Sequence, residues 1–229
     1  MRIDFYTAFQ VTKLASTVIV AIFGLCLFAL AVPHDDVLRN YRACRKFLGT
    51  AYWIFASMNF LGYFFRHCFP NIDHSYVNAH LTLIVASYQT IFLPRALVTL
   101  INADCLDRKK IRLSLILVSM LSFLSIASFF SPFPDWLTTV IFLIFLAYYS
   151  WQLVTSTRLI IAESRSAGER MDDYFSNPGT LHIGWIRIMG IISNSCGVLS
   201  LLMVLVRSWG VAFFVLLYIS VAYVILAIK

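Results

Sequence analysis

Seven stretches of roughly twenty apolar residues fill most of this 229-residue chain, at approximately 11–33, 46–65, 77–101, 112–131, 136–161, 182–206 and 208–228. A helix that crosses the hydrocarbon core of a bilayer needs about 20 predominantly apolar residues. Seven such helices leave only short connections, so no second globular domain fits. Hydrophobic residues make up 60% of the chain and charged ones 13%, against about 45–50% and about 25% in soluble domains. A soluble fold of this composition would lack a polar coat. The expectation is an all-α membrane protein, a single domain over residues 1–229 built as a bundle of seven transmembrane helices.

The charges give the bundle a direction. Arg39, Arg42, Arg45 and Lys46 lie between runs one and two, and Arg108, Lys109, Lys110 and Arg112 between runs three and four. Arg158, Arg165, Arg170 and Arg187 lie in and around the connection between runs five and six, and Lys229 closes the chain. The other side has Arg2, Lys13, Arg66 and Arg207, so the count is thirteen against four, with Arg95 inside a run. Basic loops stay in the cytoplasm. The N-terminus is therefore expected outside and the C-terminus inside. The net charge of +7 follows from this loop bias and does not signal nucleic acid.

Prolines sit where helices end. Pro33, Pro70 and the Pro132/Pro134 pair fall between runs, where the missing N–H costs little. Arg207-Ser208 forces the last two runs into a tight hairpin. The longest connection, about 162–181, is charged and helix-compatible through Tyr174-Phe175, so helix five is expected to project from the membrane until Asn177-Pro178-Gly179 breaks it. It reads as a solvated connector or as a docking surface. The first run is longer than a signal-peptide core and is expected to stay as a span. Cys26 and Cys196 fall inside runs, and Cys44, Cys68 and Cys105 in separate loops. Without a CxxC spacing, neither zinc nor redox chemistry is signalled.

Polar groups inside a membrane are costly, so each is a candidate site residue. Arg95 follows Pro94 in helix three, with Gln89 about two turns earlier. Asn59 lies in helix two, Gln152 in helix five and Asn194 in helix six. Arg95 has no obvious counter-ion within the membrane. It can snorkel toward the inner headgroups, reach Asp104 or Asp107, or bind an anionic ligand group. Pro94 leaves one backbone carbonyl without its helical donor and favours a kink. The amides can bond neighbouring helices or line a cavity. Tyr148, Tyr149, Trp151 and Gln152 can line an apolar ligand pocket with Tyr88 and Gln89. His67, Cys68, Asp73, His74 and His80 include metal-ligating types, but the spacing fits no fixed motif, so no metal is expected; His67, His74 and His80 are the weak candidates. Neither HExxH, GxSxG nor a phosphate-cradling glycine loop occurs. The last run lacks a retinal lysine, and no cofactor and no enzyme activity are expected.

Several short segments carry a resemblance. Asp4-Phe5-Tyr6-Thr7 precedes the first run, Asn40-Tyr41-Arg42 leads into Ala51-Tyr52 and Asn59-Phe60-Leu61, and Arg170-Met171-Asp172-Asp173-Tyr174-Phe175-Ser176 precedes Trp185-Ile186-Arg187. Together they resemble the membrane region of AraC-type transcription regulators of the Bacteroidetes kind. The resemblance implies a multi-helix domain in a bacterial inner membrane, followed by a cytoplasmic helix-turn-helix domain. These 229 residues contain no such segment. The expectation is a native chain that continues past Lys229, from a C-terminus already on the cytoplasmic side.

The leading expectation is therefore a membrane sensor that controls a cytoplasmic DNA-binding output domain. Its partners would be the lipid bilayer, an unknown small ligand, and DNA only through the output domain, with a homodimer as one assembly open to it. The alternative is a small transporter or channel built as three-plus-one-plus-three helices. Such folds carry broken helices at matching positions in both halves, and Pro94 has no counterpart in helix seven.

Overall fold

The computed structural model describes residues 5–35, 38–68, 74–102, 106–130, 134–174, 184–206 and 208–228. They form seven helices: α1 (Phe5–Ala29), α2 (Arg39–Cys68), α3 (His74–Ile101), α4 (Arg108–Phe130), α5 (Asp135–Tyr174), α6 (Gly184–Val206) and α7 (Trp209–Ile228). Among the described residues there is no strand.

Six of the helices are long and apolar enough to cross a membrane: α1 and α3 to α7. The expected seventh span, 46–65, falls in α2. That helix has 30 residues, about 45 Å at 1.5 Å per residue. Length is therefore not its deficit. Its middle mixes Gly49, Tyr52, Trp53, Asn59 and Gly62 among the aliphatics, and its start carries four basic residues. Cys44, expected in a loop, is instead buried in α2.

Local chemistry sets the helix ends. Asp107 caps α4, its Oδ1 accepting the N–H groups of Lys109 at 2.9 Å and Lys110 at 3.4 Å. The Pro134 carbonyl accepts Leu137 N–H at 2.9 Å and so starts α5, with Asp135 in its first turn. Ser208 does the same for α7 through Ala212 N–H at 2.9 Å. At the end of α1, Arg42 Nη1 donates to the carbonyls of Pro33 at 2.5 Å and Asp35 at 2.7 Å, and Arg45 donates to Leu30. The same arginines that give the sequence its charge bias thus satisfy carbonyls that no helix would pair. Helix α5 runs 40 residues to Tyr174, about 60 Å, well beyond the apolar run that begins it.

The contacts between helices fix their directions. Lys13 meets Gly62, Gly24 meets Tyr52, and Gly49 meets Phe28, so α1 and α2 run antiparallel. Gly62 with Leu81 and Gln89 with Ala51 set α3 antiparallel to α2. Tyr6 with Trp209 and Ser16 with Ser220 set α7 parallel to α1. Helix α3 is the most buried of the six candidate spans and packs against α2, α4, α5 and α6.

Packing relies on small residues and hydroxyls. A Cβ at Gly190 would lie 2.6 Å from Ile160 Cγ2, and one at Gly197 2.5 Å from Leu153 Cδ1. These two glycines, seven residues apart on α6, let it approach α5 closely. Ser16 and Ser220 share a 2.5 Å hydrogen bond between α1 and α7, and Ser195 and Tyr218 a 2.7 Å one between α6 and α7. Outward, the bundle presents aliphatic and aromatic side chains: Leu14 is 62% exposed, Phe123 72% and Ile191 64%. Water-soluble monomers rarely expose continuous apolar faces of this kind.

Candidate functional site

A cavity lies inside the bundle between α1, α2, α3, α5, α6 and α7. About 70 Å³ of it is open to the centre of a water molecule, room for several waters or a small polar group. Apolar side chains such as Phe55, Val85, Leu93, Leu216 and Ile219 form most of its wall. The polar part includes Asn59, Asn78, Gln89, Thr90, Asn194 and Lys13, with several serines and threonines.

Gln89 is the best-defined group there. It is buried on α3, and its Nε2 donates to the Ala51 carbonyl of α2 at 2.6 Å. A carbonyl only accepts, so the amide nitrogen must face it. Gln89 Oε1 is then left as a buried acceptor with no hydrogen-bond partner. Asn59 Nδ2 is likewise a buried donor with no partner. One unpaired acceptor and one unpaired donor on the same cavity are costly unless something binds both. One turn beyond Gln89, Pro94 also lines the cavity. It offers no N–H to the Thr90 carbonyl, which loses its helical partner. Across the cavity, Tyr149 Oη donates to the Gly197 carbonyl at 2.7 Å and ties α5 to α6.

The structure splits the six candidate residues into two groups. Asn59, Gln89 and Asn194 meet on the cavity. Arg95, Tyr148 and Gln152 do not line it; they form a second cluster between α3, α4 and α5. Arg95 Nη1 turns back to the Ile91 carbonyl at 2.7 Å, and Tyr148 is near enough to interact with it electrostatically. Tyr148 accepts from Gln152 Nε2 at 3.4 Å and bonds the Ser114 hydroxyl. Gln152 Oε1 is buried without a partner. No carboxylate pairs with Arg95 among the described residues; Asp104 lies outside them.

The expected aromatic pocket does not form as one unit. Tyr149 faces the cavity, but Trp151 is 59% exposed and points outward. Two residues on, at about 100° per residue, a helix has turned away. Tyr88 instead bonds Ser119 of α4 at 2.9 Å. Of the histidines, His67 is exposed and His80 is buried against Phe142, with Nδ1 3.0 Å from the Tyr76 carbonyl. The side chain of His74 and all of Asp73 lie outside the described residues. No group of three potential metal ligands occurs among the described residues.

Lys13 also lines the cavity, although its place near the start of the first run gives it the look of a flanking charge. Two turns into α1, its Nζ donates to Asn78 Oδ1 of α3 at 3.3 Å and sits over the ring of Phe9. Gly62 makes room for it, since a Cβ there would lie 3.0 Å from Nζ. Its position inside run 11–33, not before it, was the available signal.

No protein-family model, no curated protein and no solved structure matches the chain. The AraC-type resemblance thus rests on its short segments alone.

The cavity gives a first testable expectation. Gln89→Leu removes the bond to Ala51, whose carbonyl keeps its own helical donor, and also removes an unpaired acceptor. The thermal midpoint of the purified protein should change by the equivalent of less than about 1 kcal/mol. A drop several times larger would make Gln89 a packing residue and not a group kept for a ligand.

Proposed function

We propose that the chain is a seven-span membrane sensor domain, with its N-terminus outside and its C-terminus cytoplasmic. It binds a small ligand within the bundle and passes the resulting change in helix packing to a cytoplasmic helix-turn-helix output domain encoded beyond Lys229. The observation that carries this reading is the internal cavity, where Gln89 Oε1 and Asn59 Nδ2 lack partners beside the helix-weakening Pro94. Leu216, Ile219 and Tyr223 of α7 form part of its wall, so an occupant that changes the wall changes the seating of α7. For α2 as a span, the support is its place antiparallel between α1 and α3 along the length of both. A ligand shifts such an equilibrium only by its differential affinity for the two packings. The unpaired amides are where that difference would arise.

The test uses an artificial occupant. Ser200 lines the cavity, and Ser200→Phe places a ring in it. Spin labels at Lys109 and Ile228, both exposed, report the separation of the inner ends of α4 and α7 in nanodiscs. The reading predicts a changed distance distribution relative to wild type. An unchanged distribution removes the support for signalling through α7. Sequencing the gene past Lys229 tests the output half, and an immediate stop codon contradicts it.

One observation favours the transporter alternative. The central cavity shares Lys13, Asn59, Asn78 and Leu81 with a groove on one side, and Leu93 and Ser193 with a cleft of about 230 Å³ on the other. A solute path would run through these three neighbouring spaces once the shared walls part. Solute flux in proteoliposomes with an unmoved α7 would favour that reading over the sensor.

A further inference from the structure

The groove that meets the central cavity runs along α1 and α2 on the outer surface of the bundle, with a volume of about 380 Å³. That lies within the ~300–1,000 Å³ typical of ligand pockets. Its walls are made by Val11, Leu14, Phe60 and Tyr63, all exposed and apolar. Its inner end is different. There Lys13, Asn59 and Asn78 line both groove and cavity, and the Lys13 ammonium donates to Asn78 Oδ1 at 3.3 Å. Trp209, at the start of α7, closes one end.

We propose that this groove binds a long-chain fatty acid drawn from the surrounding lipid. The inference rests on the membrane reading above and names the ligand class of its site. The carboxylate accepts from Lys13 Nζ, and the acyl chain lies on Val11, Leu14 and Tyr63. The pairing follows from the donor set. A carboxylate offers only acceptors, and the charged group at the junction, the Lys13 ammonium, offers only donors. Charge-assisted bonds of this type are about twice as strong as neutral ones. The apolar walls ask for a hydrocarbon tail, and lipid is the phase that touches them. The cavity behind the junction has about 70 Å³ open to the centre of a water molecule, room for a head group as small as a carboxylate. Gly62 is the device that keeps the site open. A side chain there would meet both Lys13 Nζ at 3.0 Å and Leu81 Cδ1 at 3.1 Å.

The test is photolabelling of the purified chain in nanodiscs with a diazirine analogue of palmitic acid at about pH 8, where a carboxylic acid is ionised. Crosslinks should map to α1 and α2. Unlabelled palmitic acid should compete, and its methyl ester should compete roughly tenfold or more weakly. Lys13→Met, which keeps the aliphatic stem, should lower labelling by a similar factor, and Lys13→Arg should retain it. Leu14→Trp, which fills the groove without touching the cation, should also lower labelling, so the inference stays testable should Lys13→Met not fold. Equal competition by the ester overturns the proposal, as does wild-type labelling in folded Lys13→Met or Leu14→Trp. If labelling fails while Ser200→Phe still moves α7, the fatty acid is wrong and the sensor stands. If α7 stays fixed while labelling follows Lys13, the site stands and the sensor does not.

Discussion

Replacing Gly190 with alanine is expected to destabilise the protein more than the same change at Gly197, although the two close approaches differ by only 0.1 Å. At Gly190 the new Cβ meets Ile160 Cγ2 at 2.6 Å. That methyl is attached to Cβ of a β-branched residue, which has one strongly preferred χ1 in a helix. It cannot turn away, so α5 and α6 must separate. Overpacking of this kind costs about 1–3 kcal/mol. At Gly197 the obstacle is Leu153 Cδ1 at 2.5 Å, the end of a flexible side chain that can change rotamer. The expected cost there is under about 1 kcal/mol, partly offset by alanine's better helix propensity. Thermal unfolding of both variants in the same detergent checks the order. Equal effects, or the reverse, would mean that the α5–α6 interface is not set by this close approach.

Arg95→Leu is expected to stabilise the protein. The guanidinium is partly buried in an apolar helix and its described partners are the Ile91 carbonyl and the nearby Tyr148 hydroxyl. Those do not balance a charge. Placing arginine at the centre of a membrane helix costs about 2.5–3.5 kcal/mol on insertion scales. Arg95 lies nearer the helix end, so the gain on removal should be about 1–2 kcal/mol. A charged group kept inside a membrane bundle at such a cost is a functional candidate by default. The same variant should abolish whatever response depends on this cluster. A lowered thermal midpoint would instead give Arg95 a structural role in joining α3 to α5.

Much of the fold was legible in the sequence, because a long apolar run satisfies its backbone groups most simply within one helix. That rule turns each long apolar run into one helix, and the breaks at Pro33, Pro134 and Ser208 fell where the structure has them. Helix α2 was harder. Its apolar run is diluted by Tyr52, Trp53, Asn59 and glycines, and of these Tyr52 and the glycines make its close contacts. Tyr52 Oη bonds the Tyr223 carbonyl at 2.6 Å, and Gly62 makes room for Lys13. Packing chemistry therefore lowers its apolarity. The site was half legible. Asn59, Gln89 and Asn194 stood out as amides within runs, and they do converge. Which of Tyr148 and Tyr149 faces inward was not legible, since adjacent residues differ by about 100° around a helix. Asn78 and Lys13 were missed for a common reason. Near a span end, a polar residue reads as a flank, and only the neighbouring helix shows that it points inward.

The central claim is that all seven helices cross the membrane, α2 included. Cys68, at the end of α2, is exposed and free, and Lys109, at the start of α4, is exposed. In a background with the remaining cysteines replaced, a membrane-impermeant maleimide applied to intact cells reports the side of each. The account predicts that Cys68 labels in intact cells, while a cysteine at position 109 labels only after the membrane is opened. Labelling of both positions under the same condition would leave α3 unspanned between them. Labelling in the opposite order would invert the bundle. A cysteine at Arg39 that shares the side of Cys68 would show that α2 does not cross.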